Sequence, residues 1–141
     1  MIIKQTPVVR RDWPAGTTGT DKSEGKFAKL SADGQTMSLV TSATTVPDGF
    51  VSNPDGREGA DGNGGDLILM PHPGIVQVRL NDTPGMIETG TYLVLCADAT
   101  VKAATGTAGE LIVAQSMAPN TSGQGSCLHE ALLVAWATPT A

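Results

Sequence analysis

The sequence predicts an all-β chain: a small antiparallel β-sandwich or barrel body with an extended N-terminal arm. Three observations carry this. Short apolar runs recur through residues 65–137: Leu67-Ile-Leu-Met70, Ile75-Val-Gln-Val-Arg-Leu80, Tyr92-Leu-Val-Leu-Cys96, Leu111-Ile-Val113 and Leu132-Leu-Val134. Turn formers separate them about every ten residues, as in Pro71-His-Pro-Gly74 and Asn81-Asp-Thr-Pro-Gly85, which is the punctuation of an antiparallel all-β unit. Residues 1–25, by contrast, show no periodic apolar spacing.

The arm is expected over residues 1–25. Pro7 and Pro14 each bias the preceding residue toward extended backbone, and Gly16-Thr-Thr-Gly19 keeps the segment irregular. Such a segment is mobile unless a neighbour ties it down. Trp13 stands out in it. A lone Trp in a polar tail either folds back on the body or anchors into a partner.

Residues 26–141 form the single β domain. Lys26-Phe-Ala-Lys-Leu30 and Gln35-Thr-Met-Ser-Leu-Val40 are joined by Asp33-Gly34, the strongest hairpin signal in the chain. Val46-Pro-Asp-Gly49 turns again into Phe50-Val51. Residues 53–66 hold the densest glycine and read as a long Gly/Asp-rich loop, of a length usually functional or disordered. Its acids miss the EF-hand pattern: the fifth position from Asp61 is Gly65 and no Glu closes it, so a plain loop is expected rather than a calcium site.

Over residues 75–80, Val76, Val78 and Leu80 share one face and Ile75, Gln77 and Arg79 the other, as in a half-buried strand. Leu93, Val94 and Leu95 are apolar on both faces, which marks a central strand. Ala97-Asp-Ala99 then returns the chain into Thr100-Val-Lys-Ala103 as a hairpin. Residues 127–137 fit a helix or a strand. Strand is preferred, because the sheet needs a last member.

Composition narrows the function classes. At 141 residues the chain is one domain long enough to bury a core. Aromatics are 4%, so that core is aliphatic, and charged residues are only 16%, below the usual roughly 25%. A surface partly covered by partners explains this, and so does a poorly charged solvated one. Residues 1–30 carry six bases against three acids, net +3; residues 31–141 carry three bases against eleven acids, net −8, which together give the overall −5. A basic lead before an acidic body suggests an interaction tail. Its excess charge is too small for nucleic-acid binding. No apolar run has the length of a secretory h-region or a membrane span, so synthesis in the cytosol and reduced Cys96 and Cys127 are expected.

No chemistry-bearing pattern appears. His72, His129, Cys96 and Cys127 lack the paired spacings of structural zinc sites. His72, between Pro71 and Pro73, reads as a turn residue, and His129 as an interior or edge-strand histidine. Nucleophile elbows and phosphate loops are absent. An enzyme is not expected, and no cofactor is called for. A glycan- or receptor-binding module would need aromatics around a groove, whereas Tyr92, Trp13 and Trp136 are scattered.

Four segments carry a family likeness: Pro73-Gly-Ile-Val-Gln-Val-Arg-Leu80, Ile87-Glu-Thr-Gly-Thr-Tyr-Leu-Val-Leu95, Thr100-Val-Lys-Ala-Ala-Thr105 and Leu111-Ile-Val-Ala-Gln-Ser-Met-Ala118, with Leu128-His-Glu-Ala-Leu-Leu-Val134 fitting a last strand. Together they resemble the small capsid decoration, or cement, proteins of tailed bacteriophages. The likeness covers about residues 66–136 and consists of apolar and turn residues; the 53–66 loop has no counterpart in it. It implies a β-tulip-like body and a structural virion protein made in the host cytoplasm. Such a protein docks on the capsid exterior and stabilises the assembled head by bridging major-capsid subunits, with itself as a further partner in a homotrimer. Lys4, Arg10, Arg11 and Trp13 are then the expected capsid-contact residues of the arm. A glycan- or receptor-binding surface module of a virion is the alternative.

Overall fold

The structure, a computed structural model, describes residues 8–54 and 64–137. It is all-β, with ten strands in two antiparallel sheets of five and one 3-10 turn at Asp21–Ser23. Strands β1 (Val8–Asp12), β2 (Phe27–Leu30), β3 (Met37–Leu39), β4 (Gly49–Ser52) and β5 (Gly64–Leu69) form the first sheet, in the order β1-β5-β4-β2-β3. Strands β6 (Ile75–Arg79), β7 (Tyr92–Leu95), β8 (Val101–Ala103), β9 (Ile112–Ser116) and β10 (Leu128–Ala137) form the second, in the order β6-β10-β9-β7-β8.

The Asp33-Gly34 signal is a hairpin, with Ala28 opposite Leu39 and Leu30 opposite Met37. The Asp33 carboxylate accepts from the Ser31 hydroxyl and the Gln35 N–H, and Gly34 takes a left-handed φ of 71°. The hairpin at 97–99 pairs Leu93 with Ala103 and Leu95 with Val101. Residues 128–137 are a strand, the longest among the described residues, paired with β6 on one side and β9 on the other.

The sheets share one core. Phe27 and Phe50 from the first sheet pack with Val78, Leu80, Leu93, Leu95, Val101, Val113 and Leu133 from the second or its flanks, all buried. Phe27, Phe50, Ile68 and Val8 stand opposite one another across β2, β4, β5 and β1, so this row is the inner face of the first sheet. Main-chain bonds also join the sheets: the Phe27 N–H donates to the Ala99 carbonyl at 2.9 Å, and the Arg79 N–H to the Gly25 carbonyl at 2.9 Å.

The opposite face of the first sheet is apolar as well. Val51, Leu67 and Val9 form its row, and they make a second buried cluster with Trp13, Ala28 and Met37. This corrects the expectation for the arm. From Val8 onward, residues 1–25 belong to the body, because Val8–Asp12 pairs residue by residue with β5 and Trp13 caps the second cluster. Of the 53–66 loop, residues 55–63 lie outside the described residues. Gly64, Gly65 and Asp66 belong to β5. Gly64 serves close approach rather than a turn: a Cβ there would meet the Arg11 carbonyl oxygen at 2.4 Å.

Candidate functional site

Of the four arm residues, the structure places Arg10, Arg11 and Trp13, and it turns Trp13 into this chain's own core. Lys4 lies outside the described residues. Arg10 is exposed, and its guanidinium stands 3.8 Å from the carboxylate of Asp66, its partner across β1 and β5. Asn53 donates to the same carboxylate at 3.1 Å. The Arg11 guanidinium donates to the Arg10 carbonyl at 2.7 Å. Trp13 is 5% exposed, so its ring fills this chain's own cluster and is not presented to a partner's pocket. For the same reason it cannot help line a glycan groove.

The histidines and cysteines are also apart in their roles. Among the described residues no group of three or more His, Cys, Asp or Glu is placed to hold a metal ion. Both cysteines are free. Burial pushes the Cys96 thiol above its ordinary value, against a hydrogen bond to Thr100 that lowers it, so Cys96 is a protonated thiol at neutral pH and a weak nucleophile. His129 is buried on β10, its Nε2 2.7 Å from the Ser116 hydroxyl. That hydroxyl donates to the Ala118 carbonyl at 2.6 Å. Its one proton is thereby used, so Nε2 carries the hydrogen and donates to Ser116. Ser116 is fully buried, which makes the pair an internal brace rather than a catalytic dyad.

Burial lowers the His129 pKa; the Ala118 backbone and the Glu130 charge oppose this without overcoming it. A folded value below the unfolded one fixes the sign. The brace contributes fully above the unfolded pKa near 6.5 and loses its contribution as pH falls through the folded pKa. Acidifying from about pH 7.5 to about pH 5 is therefore expected to lower the melting temperature of the wild type more than that of His129→Leu. At the higher pH the variant should itself lose about 1 kcal/mol, since Ser116 loses its short bond to Nε2 and keeps only the Ala118 N–H at 3.4 Å as a donor. Equal acid sensitivity of the two proteins in thermal unfolding would count against this account.

Among the described residues two grooves and one face bear on function. A cleft lined by Lys22, Lys26, Arg79, Asp82, Asp98 and Thr100 mixes both charges. Arg79 there clamps the Glu24 and Ser126 carbonyls at 3.0 Å each. At Asp98 burial raises the carboxyl pKa, but hydrogen bonds from Thr100 and the Lys26 charge outweigh it and hold the value below the usual range. The cleft is thus a self-compensated fastening between turns. A second groove runs between the sheets, lined by Phe50, Ser52 and Ile68 on one side and Ile75, Val76 and Gln77 on the other, with Glu24 and Glu130.

The face is the outer side of the second sheet. Ile75 stands opposite Leu132, Leu132 opposite Gln115, and Gln115 opposite Tyr92. The neighbours in the next row, Ala131 and Ser116, are fully buried toward the core, so this row points outward. Its ends are open, with Ile75 61% and Tyr92 50% exposed. Trp136, near the end of β10, is 54% exposed. Sequence alternation marked Ile75 as off the Val76–Val78–Leu80 face. The row itself depends on the strand order, which alternation does not specify.

No family model matches the chain, and no curated protein matches it. Among the described residues no helix is long and apolar enough to cross a membrane.

Proposed function

We propose that the protein is a structural virion protein that binds the outer surface of an assembled phage capsid and bridges major-capsid subunits, acting as a homotrimer. The observation that carries this reading is the outward row Ile75–Leu132–Gln115–Tyr92, a solvent-facing strip that is apolar except at Gln115 and is of the kind that marks protein contact surfaces. A further support is that the segments resembling the cement proteins fold together, as the strands β6 to β10 and their links. The strip belongs to the same sheet. Each copy needs only modest affinity. A trimer engages several capsid subunits at once, and linking raises avidity by roughly 10²–10⁴. Binding to the shell and not to free subunits stabilises the head by mass action. Lys4 and Arg10 add charge attraction to an acidic shell from the basic end of the chain.

The experiment is co-sedimentation of the purified chain with bare heads of candidate phages, followed by heat challenge of the loaded heads. The double variant Ile75→Asp and Tyr92→Asp is expected to lose at least tenfold in retention while keeping its circular dichroism. Heads that bind the variant as well as the wild type would remove the strip from the proposal. Heads that gain no heat resistance on saturation would remove the stabilising role.

A further inference from the structure

The groove between the sheets has an unused main-chain edge. Just past β6 the Leu80 N–H donates to the Cys127 carbonyl at 2.8 Å, which sets the alternation: Val78 and Val76 bond toward β10, while Arg79, Gln77 and Ile75 turn their N–H and C=O groups the other way. At Arg79 that outward N–H is taken by Gly25. At Gln77 and Ile75 no strand takes them among the described residues, because β6 ends its sheet. Natural sheets protect such edges, yet this one carries an Ile that is 61% exposed.

The walls add chemistry to the edge. The groove is about 420 Å³, with Phe50, Ile68, Ile75 and Val76 as its apolar side chains and Glu24 and Glu130 as its charged ones. Neither acid has a salt bridge among the described residues. Glu24 adjoins Gly25, which already makes one rung on β6. We infer that this groove is a strand-acceptor site for a short extended peptide segment of a protein partner, one that alternates apolar with basic side chains. The segment continues the rung begun by Gly25, adds main-chain bonds at Gln77 and Ile75, seats its apolar side chains against Phe50, Ile68 and Val76, and sets its basic ones against Glu24 and Glu130. Strand addition to an open edge supplies affinity through the backbone and selectivity through the alternate side chains. The charges fix which peptides enter. The site goes beyond the capsid reading, since it specifies a partner segment that the outer strip does not.

The test is fluorescence anisotropy of the full chain with a labelled hexapeptide of alternating lysine and valine. The controls are a peptide of the same composition with its lysines and valines in blocks, and an alternating glutamate–valine peptide. The alternating lysine peptide is expected to bind at least tenfold more tightly than either. The double variant Glu24→Gln and Glu130→Gln should lose at least tenfold of that affinity. Gln77→Pro should do the same, since it removes an outward N–H that the β6–β10 ladder does not use, and proline is tolerated on an edge strand. Equal binding of the alternating and blocked lysine peptides, or no binding of either, overturns the inference. So does unchanged affinity in the double Gln variant, which decides the matter even if Gln77→Pro fails to fold.

Discussion

Phe27→Ala is expected to cost about 3–5 kcal/mol, the range for removing a large aromatic side chain from a packed core. Phe27 is fully buried. It sits on the first sheet but packs into the cluster built mainly by the second, with its ring centroid 6.5 Å from that of Phe50. Its N–H also bonds to Ala99, in the turn between β7 and β8. The side chain therefore couples the two sheets, and its loss leaves a cavity at their junction. With aromatics at 4% of the chain, no neighbouring ring is available to fill that cavity beyond Phe50 itself. Against a total stability of roughly 5–15 kcal/mol, the melting temperature should fall by on the order of 10 °C or more. Leu128→Ala, at a half-buried position in the outer register of β10, should cost well under half as much. Thermal unfolding followed by circular dichroism compares them, and similar losses for the two variants would contradict the placement of Phe27 at the junction.

Much of this fold was legible because local rules and tertiary packing agree. Asp33-Gly34 supplies a hairpin turn that needs no distant contact. Ile75–Arg79 alternates because only one face of β6 meets the core. Leu93, Val94 and Leu95 are all buried, on a strand that lies inside its sheet between β9 and β8. The arm was misread for a related physical reason. In Val8-Val-Arg-Arg-Asp12 no period of two appears, since Val8 stands in the inner row of the first sheet and Val9 in its outer row, and both rows are packed. Alternation identifies a strand only when one face is wet. Gly64 failed as a signal in the same way. Glycine reads as a turn former, but here it allows β1 to lie close against β5. The outer strip was legible only in part. Ile75 and Tyr92 are far apart in sequence and meet in one row through β10 and β9, an order set by topology rather than by any local pattern.

Trp13→Ala is expected to destabilise the free protein by about 3 kcal/mol or more, with no partner present. The two readings of this residue in the sequence differ on that point. A Trp held out for a partner's pocket would cost the free chain almost nothing when truncated, as exposed substitutions usually do, within about 0.5 kcal/mol. Trp13 is instead 5% exposed and packs with Val9, Ala28, Met37, Val51 and Leu67 on the outer face of the first sheet. It follows β1 directly, so the ring also holds that edge strand in place. Its loss should loosen the β1–β5 pairing before the rest of the sandwich. Trp13→Phe separates packing from polarity. The indole Nε1 is buried and has no acceptor among the described residues, so replacing it by a phenyl ring sacrifices some contact but removes an unpaired donor, which is itself costly to bury. The Phe variant should therefore lose clearly less stability than the Ala variant. Fluorescence supplies an independent readout, because the chain has two tryptophans and the other, Trp136, is 54% exposed. In a Trp136→Phe background the remaining emission should be blue-shifted and poorly quenched by iodide. A red-shifted, freely quenched Trp13 together with an unchanged melting temperature in Trp13→Ala would return the residue to the role of a partner anchor.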